Sequence, residues 1–303
     1  MTTEQTKTTK ISLQHRVEYA LFMLTAYVAR ILPRHTALAL GAHLGTLGRL
    51  IMRKRVAIAR DNLRQAFPEK SPQELDQTLR AVFRHLGISG MEILRVDLFK
   101  GKRDLERYFS FSGLEHLEQA FAMKRGVILL GGHIGFWEGG AFFLPTLGFP
   151  VDCIAKKMRN PLVDAFFERM RTSNGTHVLD SKKGARRILR ALSQNRGVAV
   201  LLDQHITRRE AVPDTFFNRP VWTTPIIAHI AMKQGVPIAP INVYRTADFH
   251  YRVIIDPLIR FEDSEDREDM IRNTSLLTAN IEQAVRRDIT QWFWVHRRWR
   301  SPT

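Results

Sequence analysis

The chain has 303 residues, 44% of them hydrophobic, enough for a sizeable core in one large domain or two small ones. Its 46 Lys and Arg against 30 Asp and Glu leave a net charge of +16, which asks for an acidic partner: nucleic acid, anionic lipid or an acidic carrier protein. The single cysteine, Cys153, excludes an intrachain disulfide and a Cys-rich zinc site, and its apolar flanks favour a small core residue over a nucleophile.

Residues 1–10 are polar and Thr-rich, the composition of a disordered tail. From Val17 to Leu32 the chain is mostly apolar. A helix of that length covers roughly 24 Å at ~1.5 Å per residue, short of the ~30 Å hydrocarbon core. It carries Glu18 and Arg30, and no small-residue cleavage site follows, which disfavours a cleaved signal peptide. Tyr19 and Tyr27 suit a headgroup boundary. A second semi-apolar helix, Ala37 to Met52, runs into Arg53-Lys54-Arg55. Residues 1–60 hold ten basic residues against two acids, half the net charge in a fifth of the chain. This reads residues 11–56 as membrane-associated helices on a cytoplasmic leaflet. The alternative is a helical hairpin packed on the main domain.

Residues 57–303 read as one α/β domain. An amphipathic helix, Ala57 to Phe67, stops at Pro68. The next is capped by Ser71 with Pro72 and Glu74 behind it, and is expected to run to about Leu98 with interruptions near Gly87 and Gly90. Strands are predicted at 127–130, 151–155, 176–179, 198–202, 237–243 and 250–256. Helices are predicted at 137–146, 160–173, 183–194, 223–234 and 265–290. The alternation predicts a mostly parallel central sheet flanked by helices, preceded by an N-terminal hydrophobic helix.

The chemistry gathers at strand ends. Val127-Ile128-Leu129-Leu130 reads as a strand buried on both faces, closed by Gly131-Gly132. His133 follows at once and Glu138 five residues later. Lys156-Lys157-Met158-Arg159-Asn160-Pro161 follows the second strand, and Asp203-Gln204-His205 the fourth. In a parallel sheet all three groups share one edge. Either His133 is a general base oriented by Glu138, with a nearby cation stabilising an oxyanion, or His133, Glu138, Asp203 and His205 ligate a metal. No H-E-x-x-H spacing favours the metal, and neither a P-loop nor a G-x-G-x-x-G favours a nucleotide. No nucleic-acid module is present, and aromatics are not interleaved with the basic runs.

His133-x4-Glu138 after a buried strand and a glycine pair resembles the H-x4-D/E motif of the glycerolipid and lysophospholipid acyltransferase superfamily. Around it the chain resembles the bacterial late lipid A acyltransferases over nearly its whole length. The resemblance rests on Arg60-Asp61-Asn62-Leu63 with Phe67-Pro68-Glu69, Arg159-Asn160-Pro161 and Leu202-Asp203-Gln204. It also rests on Thr215-Phe216-Phe217 with Thr223-Thr224-Pro225, and on Trp294-Val295-His296-Arg297-Arg298. Family members commonly carry Gly after the Phe-Phe pair; this chain has Asn218.

The resemblance implies transfer of a fatty acyl group from acyl carrier protein, or coenzyme A, to a hydroxyl of a lipid A precursor at the cytoplasmic face of the inner membrane. No cofactor or metal is implied, and no nucleic-acid partner. It makes His133 the base, Glu138 its partner and Arg159 a substrate or oxyanion contact, with Gly132, Asp203 and Gln204 beside the substrate. A group acylating mannosylated phosphatidylinositol shares the pattern, so another glycolipid or a lysophospholipid remains open as acceptor. A catalytically silent membrane scaffold of the same fold is the further alternative. Lys182-Lys183 with Arg186-Arg187 read as a carrier-protein dock or a solvated face. Trp292-Phe293-Trp294 with Trp299 read as an interfacial belt or as core packing.

Overall fold

Val127–Gly131 forms the innermost strand, β2, and all five residues are buried, as an uninterrupted aliphatic run requires when both faces of a sheet are covered. The computed structural model describes residues 11–180 and 184–299. The expected disordered tail and the Lys182-Lys183 pair lie outside the described residues.

Among the described residues a seven-stranded sheet runs β1 (Phe109–Ser112), β9 (Tyr251–Ile255), β8 (Ile238–Arg245), β2, β5 (Gly197–Leu201), β3 (Val151–Ala155), β4 (His177–Asp180). From β8 to β4 the strands are parallel; β9 turns back antiparallel on β8, and β1 pairs parallel with β9. The fold is therefore α/β with a mostly parallel sheet. Ile128 and Leu130 of β2 enter one core with helices α3 (Arg53–Ala66), α4 (Pro72–Ile93), α9 (Gly184–Ser193), α10 (Ile226–Gln234) and α11 (Arg267–Arg287). Val127 and Leu129 enter the other with α5 (Gly101–Tyr108), α6 (Leu114–Ala122), α7 (Trp137–Phe143) and α8 (Pro161–Thr172).

Several elements depart from the sequence reading. The four-residue strand β1 and the antiparallel hairpin β6 (Val212–Phe216) and β7 (Arg219–Thr223) were not foreseen. Helix α4 is continuous through Gly87 and Gly90. Gly87 serves packing instead: a Cβ there would lie 2.0 Å from the Gly41 carbonyl oxygen and 2.7 Å from Gly45 Cα, so glycines let α2 (Arg34–Ile51) press against α4. In the β6–β7 turn Phe217 and Asn218 both take left-handed backbone, at φ 52° and 54°. Asparagine enters that region more readily than most non-glycine residues, which suits Asn218 to the turn. Phe217 is held there by burial and by its backbone N–H donating to Glu282 Oε2 at 2.5 Å.

The N-terminal helix α1 (Leu13–Ile31) starts at a Ser12 capping box and runs against α8 through Phe22 on Phe166 and Phe167. Its other side leaves Leu13, Val17, Leu21, Leu24, Val28 and Ile31 exposed, spaced to form one stripe. Helix α2 leaves Leu44, Leu47, Leu50 and Ile51 exposed toward its end. No described helix is long and apolar enough to cross a membrane. The C-terminal aromatics pack inward: Trp292 and Trp294 are buried, with ring centroids 4.6 Å apart.

Candidate active site

Where β2 ends, the chain is stitched into place on three sides. Leu202 N–H donates to the Gly131 carbonyl at 3.2 Å, carrying the β2–β5 ladder one step further and bringing Asp203 beside His133. Gly135 donates to Gln291 O at 2.9 Å and Phe136 to Val243 O at 2.8 Å. Gly135 has φ 58°, and a Cβ on it would sit 1.9 Å from the Val243 oxygen, so the loop after His133 can close on β8 only with glycine there. Gly132 lies against the site: a Cβ on it would come within 3.3 Å of Asp203 Oδ2.

His133 Nδ1 lies 2.7 Å from Asp203 Oδ1. An ionised carboxylate only accepts, so Nδ1 carries the proton and Nε2 keeps its lone pair. Gln204 Nε2 donates to that lone pair at 3.1 Å. Asp203 Oδ2 receives the backbone N–H of His133 and the indole N–H of Trp292, each at 2.7 Å. Burial opposes a charge on Asp203, yet the His133 charge and these donors win and lower its carboxyl to about 2. Burial likewise opposes protonation of His133, but the Asp203 charge and hydrogen bond outweigh it, and the ring's pKa is raised. Trp137 and Phe293 flank the imidazole at centroid distances of 5.5 and 6.0 Å. The result is a ring of fixed tautomer, dry on its flanks, with one basic nitrogen at a polar opening.

Glu138 was expected to orient His133. Its carboxylate is instead forked by Arg171 of α8, Nε to Oε2 at 3.0 Å and Nη2 to Oε1 at 2.6 Å, and reaches His133 only through its field. Helix geometry explains the exchange. Glu138 stands in the first turn of α7, turned toward β3 and α8, while Asp203 extends the strand that neighbours β2. Arg159 also differs from expectation. The strand before it, β3, is separated from β2 by β5, and Arg159 is exposed, its charge acting on Glu18 of α1. For the metal reading, no three His, Cys, Asp or Glu side chains among the described residues are grouped to hold an ion. Cys153 is half-buried in β3, its thiol pushed up to about 12, mainly by burial.

Sequence reasoning gave no site role to Arg171, Trp292 or Arg298. Arg298 is 1% exposed and donates to Gln204 O at 2.8 Å, Trp222 O at 2.7 Å and Thr223 Oγ1 at 2.6 Å, fixing the backbone of the residue that caps His133. The motifs of the resemblance meet in the same region. Asn62 Nδ2 donates to the carbonyls of Trp294 and His296 at 2.8 and 2.9 Å, and Phe67 packs on Phe217 and Trp294. They brace the C-terminal segment that holds Asp203.

Residues 6–301 match the family described as bacterial lipid A biosynthesis acyltransferase. The chain is 25% identical over 272 residues to the lipid A biosynthesis palmitoleoyltransferase of Escherichia coli (strain K12), covering 89% of this chain and 87% of that one. It is 27% identical over 274 residues to the lipid A biosynthesis lauroyltransferase of the same strain, with the same coverage. Among solved structures, the 1-acyl-sn-glycerophosphate (LPA) acyltransferase PlsC from Thermotoga maritima aligns with 84% of this chain and 99% of its own, at 14% identity and a TM-score of 0.38. The family match spans both the His133 loop and the C-terminal brace: the chain is an acyltransferase and belongs to the bacterial lipid A biosynthesis acyltransferases.

Proposed function

We propose that the protein moves a fatty acyl group from a thioester of acyl carrier protein, or of coenzyme A, to a hydroxyl of a lipid A precursor, with His133 as general base and Asp203 as its orienting partner. The observation that carries this reading is the 2.7 Å His133 Nδ1–Asp203 contact, which leaves Nε2 basic at the opening of the site. A thioester is already activated, so no covalent enzyme intermediate is needed. The acceptor hydroxyl replaces the Gln204 amide at Nε2 and loses its proton there as its oxygen attacks the thioester carbonyl. The tetrahedral intermediate collapses, the carbon–sulfur bond breaks, and the imidazolium returns the proton to the departing thiolate. Asp203 stabilises the imidazolium between the two steps.

Gly132 and Gln204 border the reacting atoms in this reading. Arg159 supplies positive charge on the exposed loop toward anionic substrate, and Glu138 acts through Arg171. The exposed stripes of α1 and α2, flanked by Arg53-Lys54-Arg55, support docking on an anionic membrane surface, at the cytoplasmic face of the inner membrane. The test is transfer by the purified full chain from a defined acyl carrier protein thioester to a lipid A precursor, read by mass spectrometry. A gain of one fatty acyl group that disappears in His133→Ala is expected. Acylation of mannosylated phosphatidylinositol or a lysophospholipid alone would replace the acceptor, and undiminished transfer by His133→Ala would remove the base.

A further inference from the structure

The acid of the His-x4-Glu motif holds an arginine, and that arginine opens onto a second polar site. Glu138 occupies Nε and Nη2 of Arg171, which leaves the two N–H groups of Nη1 for another acceptor. Arg171 lines a solvent-open cleft of about 170 Å³ between α8, α9 and the carboxyl ends of β3 and β4. Lys156, Lys157 and Arg187 bring further cations to it. Asp164, Glu168 and Asp180 bring carboxylates. With only β5 between β2 and β3, and strands ~4.8 Å apart, the cleft lies on the order of 10–15 Å from His133 along the same sheet edge. The loop beside it is tied to α1. Asn160, on the loop that leads from Lys156 into α8, donates to His15 O at 2.9 Å and Glu18 Oε2 at 3.0 Å, and Met158 on that loop is exposed.

Resting on the acyl-transfer reading above, we infer that this cleft binds a phosphorylated sugar headgroup of the lipid acceptor. Arg171, Arg187 and the lysines hold the phosphate, and the carboxylates accept hydrogen bonds from sugar hydroxyls. A purely cationic cleft would suit bare phosphate; mixed charge suits a phosphate carried on a polyol. Glu138 is then a positioning residue: it orients the guanidinium fork, which lysine cannot reproduce. The other phosphate within reach of the site is the one on the donor's pantetheine arm, and the experiment separates the two.

The test uses the full chain in mixed micelles and the double variant Lys157→Gln with Arg187→Gln, two exposed side chains outside the His133–Asp203 pair. KM for the phosphorylated acceptor should rise tenfold or more, with kcat within twofold and KM for the thioester unchanged. A rise in the thioester KM alone would assign the cleft to the donor and overturn the headgroup. Unchanged values for both substrates would overturn the site while leaving the acyl-transfer reading intact. A readout independent of turnover is thermal stability with inorganic pyrophosphate. It should raise the melting temperature of the wild type and not of the double variant; equal shifts in both, or none in either, would overturn the proposal even if no transfer is detected.

Discussion

His133 donates to Asp203 twice, through ring Nδ1 to Oδ1 and through its backbone N–H to Oδ2, both at 2.7 Å. One carboxylate therefore sets the tautomer and the position of the base together. In Asp203→Asn the anion is gone and burial is opposed only by the field of Glu138, so the pKa of the ring should fall. The base works only when deprotonated, so wild-type kcat should rise with pH through an inflection above 6.5. In the variant that limb should move to lower pH while kcat at its plateau falls by ~10²–10⁴. Rate profiles across pH 5–9 decide the matter, and an unmoved limb would refute the pairing.

Trp292→Phe retains the ring and removes the donor to Asp203 Oδ2. A hydrogen bond to a charged acceptor is worth about 1.5–3 kcal/mol, so the urea midpoint should drop accordingly. Activity should fall less than in Asp203→Asn, because Nδ1 keeps its partner. Equal losses in the two variants would mean that Trp292 acts on more than the carboxylate.

Glu138→Gln separates the two acids. The structure puts Glu138 on Arg171, so KM for the acceptor should suffer more than the pH profile. If the acidic limb moves as far as it does in Asp203→Asn, Glu138 orients the base after all.

Leu21→Glu with Leu24→Glu changes two side chains that are 63% and 62% exposed. Each buried leucine is worth roughly 1.5–3 kcal/mol on transfer from water, so binding to vesicles of phosphatidylglycerol and phosphatidylethanolamine should weaken by about 10² or more. The melting temperature in solution should stay as it was. Full retention on vesicles would move the docking surface to the exposed residues of α2.

Asn62→Ala should cost about 1–3 kcal/mol, since it leaves the Trp294 and His296 carbonyls without their donor. Calorimetry would register it, and an unchanged melting temperature would show that water replaces the amide.

Much of this was readable from residue order because the strands concerned are uninterrupted aliphatic runs. Val127-Ile128-Leu129-Leu130 and Val198-Ala199-Val200-Leu201 are short aliphatic runs flanked by glycine, which suits inner strands, and the residues behind them fall on one edge. Strand β1, Phe-Ser-Phe-Ser, is too short to stand out, and β6 and β7 each carry a proline, which argues against a strand. Spatial order was the harder part. That β5 enters between β2 and β3 is a tertiary fact, and it decides that Asp203 rather than Glu138 meets the His133 ring. Separation along the chain hid Trp292 and Arg298, which meet their partners across 89 and 94 residues.

The dependence of Asp203 on Trp292, and of the Gln204 backbone on Arg298, has a consequence in time. During synthesis all seven sheet strands, which end at Ile255, can pair before the stretch carrying Trp292 exists, but the carboxylate beside His133 then lacks its third donor. The base is completed only when the segment from Trp292 to Arg298 folds back. A chain cut before Trp292 should keep the sheet and lack transfer, so that acylation waits for the Trp292–Arg298 segment.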